Sequence, residues 1–295
     1  MNTAPPPYTQ SIPDMIPRLP PVWADVFGED DFGVFAECEI KGARFVWRWI
    51  RPGRFLMGCD PDDNHGNNAE KPQYEVIITR GFWLGETPVT QAQWREVTGE
   101  SPSHFKGDAR PVERVSWVDS VEFAGKLNQL VPGLNAALPS EAQWEYACRA
   151  GTQGAFQNGS WCTEPTGKDP ALEELGWFDK NSDGRSHDVK GKAANAWGLY
   201  DMHGNVWEWC RDAWDAKAYG KREEPAFDPE ETSDDKGASR VVRGGSWLTH
   251  AGNCRAAIRD WHEPGIRFRH QGLRLSAGQE PGAAEPPPVE RSDLP

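Results

Sequence analysis

The sequence predicts an α+β fold: a single irregular domain with few short helices and strands and much loop. Three observations carry this. Mixtures of β-branched and aromatic residues crowd the first third of the chain. Helix starts with capping chemistry follow them. After Cys148 a glycine- and tryptophan-rich stretch keeps neither the strand nor the helix period.

Taken in order, Phe45-Val-Trp-Arg-Trp-Ile50, Phe55-Leu-Met-Gly58, Tyr74-Glu-Val-Ile-Ile-Thr79 and Phe82-Trp-Leu84 read as strands, because branched and aromatic side chains suit a pleated surface. Thr90 with Gln93 and Ser140 with Gln143 each place a hydroxyl at a helix cap and an amide three residues on. Ser116 with Asp119 is a weaker version, followed by Val121, Ala124 and Leu127 at helical spacing. Val241-Val-Arg-Gly-Gly-Ser-Trp247 ends the irregular half. Seven of the 25 prolines fall in 1–21 and five in 277–295. Proline lacks the donor N–H of helix and ladder, so both ends are expected to be disordered, with the folded body at 22–276.

Composition excludes several classes. Mean hydropathy is −0.72 and no apolar run approaches a membrane span. Net charge is −13, which repels nucleic acid and anionic membranes. The N-terminus lacks a basic, then apolar, leader pattern, so a cytoplasmic location is expected. The six cysteines include no CxxC pair, and reduced thiols are expected. Fifteen tryptophans against five tyrosines imply an aromatic core. No P-loop, Gly-x-Ser-x-Gly elbow or dinucleotide fingerprint occurs.

A series of phrases resembles the formylglycine-generating enzyme (sulfatase-modifying factor) superfamily, in that family's order. They are Pro52-Gly-Arg-Phe-Leu-Met-Gly58, Phe82-Trp-Leu-Gly-Glu-Thr-Pro-Val-Thr90, Pro111-Val-Glu-Arg-Val-Ser-Trp117 and Leu138-Pro-Ser-Glu-Ala-Gln-Trp144. Asn195-Ala-Trp-Gly-Leu-Tyr-Asp201, His203-Gly-Asn-Val-Trp-Glu-Trp209, Arg243-Gly-Gly-Ser-Trp247 and Gly272-Leu-Arg-Leu275 complete the run over roughly 45–275. The resemblance implies a C-type-lectin-like fold.

What it implies for chemistry is divided. The oxidases of the family bind copper through two cysteines after the Arg-Gly-Gly-Ser-Trp phrase. Here those positions are Thr249 and Cys254. Two thiolates suit Cu(I), whereas threonine offers a hard hydroxyl, so formylglycine formation and bound copper are disfavoured. If an altered oxidase survives, Cys254, Ser246 and Trp207 are its candidates. An iron-dependent branch of the family suggests a weaker possibility, His250, His262 and His270 with Asp260 or Glu263. Its metal ligands come partly from a helical domain with no counterpart in these phrases.

Other relatives use the fold to bind ligands, including variable proteins diversified by retroelements. By that resemblance 248–271 is the binding surface for a protein or small molecule, and Thr249, His250, Asn253, Asp260, Trp261, His262, Arg267, Phe268 and His270 are its candidates. Aromatic and arginine side chains are enriched at binding hot spots. Adenine mutagenesis of asparagine codons cannot yield Trp261, Glu263 or Gln271, which would be fixed positions. The leading expectation is a non-catalytic binding protein, with a metal-dependent oxidase of altered chemistry as the alternative. Arg243, Arg259 and Arg274 are expected to be structural. The resemblance also implies a structural Ca²⁺ on the Asp201 and Glu208 side chains and the Gly204 and Val206 carbonyls, an oxygen-only set. Asp179-Lys-Asn-Ser-Asp-Gly184 opens like an EF-hand but has Lys190 where a bidentate Glu is needed, and reads as a turn.

Overall fold

The computed structural model describes residues 20–278; the expected disordered ends at 1–19 and 279–295 lie outside them. A six-stranded sheet has the order β1-β2-β3-β6-β13-β7. Its strands are β1 (Val26–Asp30), β2 (Gly33–Ile40), β3 (Ala43–Ile50), β6 (Phe82–Gly85), β7 (Ala136–Ala137) and β13 (Ser276–Ala277). A three-stranded sheet joins β4 (Gly53–Met57), β5 (Tyr74–Ile78) and β9 (Ala226–Phe227). The third sheet holds β8 (Trp207–Ala213), β10 (Arg240–Arg243), β11 (Arg259–His262) and β12 (Gln271–Leu273), in the order β11-β10-β8-β12. Ala277, expected to open the tail, is instead a strand residue only 1% exposed.

Helices α1 (Gln91–Thr98), α2 (Trp117–Leu130) and α3 (Glu141–Arg149) start at Thr90, Ser116 and Ser140. In each, the cap hydroxyl accepts an amide three residues on and that residue's side chain returns the bond. One departure is Val121: expected on the apolar face of α2, it is exposed, and Phe123, Ala124 and Leu127 form the buried stripe. Short helix α4 (Pro170–Glu173) lies in the irregular half.

Tryptophans fill the core. Trp23 meets Trp47 and Trp83 edge-on, and Trp94 stacks on Phe123 at 4.7 Å. The three structural arginines are buried on carboxylates: Arg243 on Glu145, Arg259 on Glu141 and Arg274 on Glu208. Removing one partner would strand the other charge in a low-dielectric interior, costing about 3–5 kcal/mol. These pairs pin β10, β11 and the strand-ending Arg274 to α3 and β8, and so fix both ends of the candidate ligand segment. All six cysteines are buried, unpaired thiols.

Candidate functional site

The segment leaves β10 through a double glycine in left-handed backbone, Gly244 at φ +93° and Gly245 at φ +74°. A Cβ on Gly245 would lie 2.5 Å from the Asn253 carbonyl oxygen and 2.6 Å from Cys254 Sγ, so only glycine fits. Trp247 follows, 2% exposed. Its indole N–H donates to the Arg269 carbonyl at 3.2 Å, its ring meets Phe105 edge-on, and its own carbonyl accepts from Ser182 Oγ.

From there the predicted surface divides in two. In the first part, Thr249 Oγ1 accepts the Ser246 amide at 2.8 Å and donates to the Ser246 carbonyl at 3.0 Å, closing a tight turn. Cys254 Sγ lies 3.5 Å from that hydroxyl, so the two residues are neighbours, as the resemblance implied. Cys254 is fully buried, which pushes its thiol up to about 12. With a hydroxyl rather than a second sulfur beside it, such a thiol stays protonated at neutral pH and is a poor nucleophile. Ser246 and Cys254 sit together, with the Ser246 backbone beside the thiol. Trp207 packs in the main core and Cys254 in a smaller one around Phe156 and Phe178. His250 and Asn253 are exposed. His250 Nδ1 is held 2.7 Å from Asp179 Oδ2, and the Asp179 amide donates to the Thr249 carbonyl. Asp179, read from sequence only as part of a turn, is thus a wall of this part of the site.

The second part is aromatic. Trp261 and Phe268 are 43% and 39% exposed. Phe268 stacks on His270 at 5.1 Å and meets His262 edge-on at 5.0 Å, and Trp209 supports His262 from below. Burial, with repulsion from His262 and Arg269, lowers His270 to about 4, and burial lowers His262 as well. Both rings are therefore neutral near pH 7 and present an apolar face. Arg267 makes a two-armed ion pair with Asp119, both arms at 2.7 Å, and the Val118 amide donates to the Pro264 carbonyl. Asp260 turns back to accept the Trp261 amide. Through these contacts α2 brings the exposed Val118 and Val121 beside the segment. They are surface residues that a linear reading could not join to it.

Neither metal reading fits the residues present. Of the expected calcium set, Glu208 receives Arg274 Nε and Nη2 at 3.0 Å each and Trp144 Nε1 at 2.7 Å. Asp201, raised to about 6 by burial, accepts the Lys190 amide and Asn205 Nδ2. Gly204 and Val206 lie in the turn between them. A divalent ion would have to share Glu208 with a buried guanidinium that already balances its charge, so this set does not suit Ca²⁺. For iron, His262 and His270 lie 6.4 Å apart while His250 is tied to Asp179. Among the described residues no group of three or more His, Cys, Asp or Glu side chains is placed to hold a metal ion. No helix among them is long and apolar enough to cross a membrane.

Comparison with known proteins matches the sulfatase-modifying factor enzyme 1-like domain to residues 37–277. The chain is 33% identical over 215 residues to the formylglycine-generating enzyme of Thermomonospora curvata, covering 70% of this chain and 67% of that protein. Against the mouse formylglycine-generating enzyme it is 31% identical over 221 residues, 71% of this chain and 55% of that one. Among solved structures, Treponema denticola variable protein 1 superposes with a TM-score of 0.69 at 27% identity, covering 82% of this chain and 98% of that one.

Proposed function

Because the chain belongs to the sulfatase-modifying factor enzyme 1-like family, we propose that it is a non-catalytic member, one that uses the common scaffold to present 248–271 to a ligand. The observation that carries this is Thr249. Its hydroxyl occupies the place of one thiol and is spent on a turn with Ser246, beside a Cys254 thiol that burial keeps protonated. The likeness to a variable protein supports the binding role, and the exposed Trp261 and Phe268 give it an apolar anchor. A protein or small molecule suits a neutral aromatic patch on a chain of net charge −13, whereas nucleic acid and anionic membranes do not. Six unpaired buried thiols suit a reducing, cytoplasmic setting. We further propose that the segment is diversified by a retroelement. A reverse transcriptase gene and a near-copy of the 3′ end of this gene in neighbouring DNA are the expected finding.

The similarity to formylglycine-generating enzymes keeps one competitor, an oxidase of altered chemistry. Metal analysis of protein grown with copper and iron separates the two. The binding reading expects neither metal; stoichiometric copper or iron would overturn it in favour of the oxidase.

A further inference from the structure

Glu113 is wholly buried. Its Oε1 accepts the Phe105 amide at 2.8 Å, and the His104 amide also faces it. Its Oε2 is buried with no hydrogen-bond partner. The backbone on either side is engaged too: the Glu113 amide donates to Ser103 Oγ, and the Arg114 amide donates to the Phe268 carbonyl at 3.0 Å. Glu113 thus sits where the loop 101–107 meets the ligand segment. The loop in turn supports that segment, because Phe105 packs edge-on against Trp247, which donates to the Arg269 carbonyl. The charged groups acting on Glu113 are the cations Arg114 and Lys106.

We propose that Glu113 is a proton-operated clamp: neutral, it holds the 101–107 loop against Trp247, and on ionising it loosens that loop and, with it, the ligand surface. A buried carboxylate with one oxygen lacking any donor gains by hydration, and movement of the loop bonded to its other oxygen would admit water. Burial raises this acid from its ordinary 4.5 to about 7, against the pull of its two amide donors and the two cations. The opened loop titrates in the ordinary range and the closed loop near 7. Opening is therefore coupled to loss of one proton between these limits, becomes tenfold easier per pH unit across them, and levels off above pH 7. The consequence for ligand binding rests on the function proposed above. The clamp itself can be read without any ligand.

The test is hydrogen exchange at the Phe105 amide, corrected for intrinsic rates, between pH 5 and 8.5. In the parent, protection is expected to fall about a hundredfold up to pH 7 and then flatten. Glu113→Gln keeps an acceptor for the Phe105 amide but cannot ionise, so its protection should be flat with pH. Gln91 clamps the same loop through the Phe105 carbonyl and the Gly107 amide without titrating. Gln91→Ala should lower protection at every pH and keep the parental slope, which supports the proposal even if the Glu113 variant fails to fold. Parallel profiles for parent and Glu113→Gln, or a flat profile in both the parent and Gln91→Ala, would overturn it. A clamp confirmed with no ligand found would leave the device standing and count only against the binding function.

Discussion

Thr249 and Trp247 are two residues apart and carry opposite expectations. Thr249 fills a thiol's place with a hydroxyl 3.5 Å from Cys254 Sγ. Thr249→Cys is therefore expected to give two adjacent thiols and one equivalent of bound Cu(I), measured by competition with a chromogenic chelator, where the parent binds none. A variant that stays copper-free would show that the turn with Ser246 no longer presents both sulfurs. Trp247 is wedged between Phe105 and the Arg269 guanidinium, so Trp247→Ala should cost about 3–5 kcal/mol. The triple variant Trp261→Ala, His262→Ala and Phe268→Ala removes partly exposed rings and should melt near the parent while losing ligand. Thermal melts decide this, and unfolding of the triple variant would reverse the assignment of core and surface. Burial of Trp247 was readable from its rigid double-glycine setting. The roles of Asp179 and Glu113 were not: Asp179 meets His250 more than seventy positions away, and the loop that Glu113 holds reaches the segment only through Phe105 on Trp247 and Arg114 on Phe268, each pair more than a hundred positions apart.

Among the elements, helices were the most legible, because capping boxes are local chemistry written within four residues. Strands were read where aromatic and branched side chains cluster, as in β3 to β6. They were missed where burial removes the period. β1 is exposed on both faces and rich in acids and glycine, whereas β8 is buried almost throughout, so neither alternates. In α2, Gly125 faces solvent with nothing within 4 Å of a Cβ built on it. Gly125→Ala should therefore stabilise by about 0.5–1 kcal/mol and raise the melting temperature by about 2 °C. No rise would mean that something covers this helix face in solution. The turn from Asp201 to Glu208 carries its own counter-charge in Arg274, so EDTA should leave the melting curve unchanged. A fall on chelation, reversed by added calcium, would return the ion to that turn.

For the molecule as a whole, the ordered phrases located the fold and the segment but gave no sign that the segment divides between two walls. That division follows from sheet order. β11 and β12 are the two edges of one sheet and run in the same direction. The chain between them, 263–270, must therefore cross about three strand spacings and climb back about four residues, roughly 20 Å in all. Two reverse turns, closed by Glu263 with Ile266 and Phe268 with Gln271, shorten its reach to about 25 Å. The aromatic face is thus mounted on a nearly taut strap. Deleting Gly265 and Ile266 should strip β12 from β8 and collapse the melting transition, while a change of side chain on the strap leaves it intact. A surface on such a strap can vary freely in spelling but not downward in length. It also has little slack to freeze out when it closes on a ligand, so its affinity is set by which side chains it carries rather than by the cost of bringing them to order.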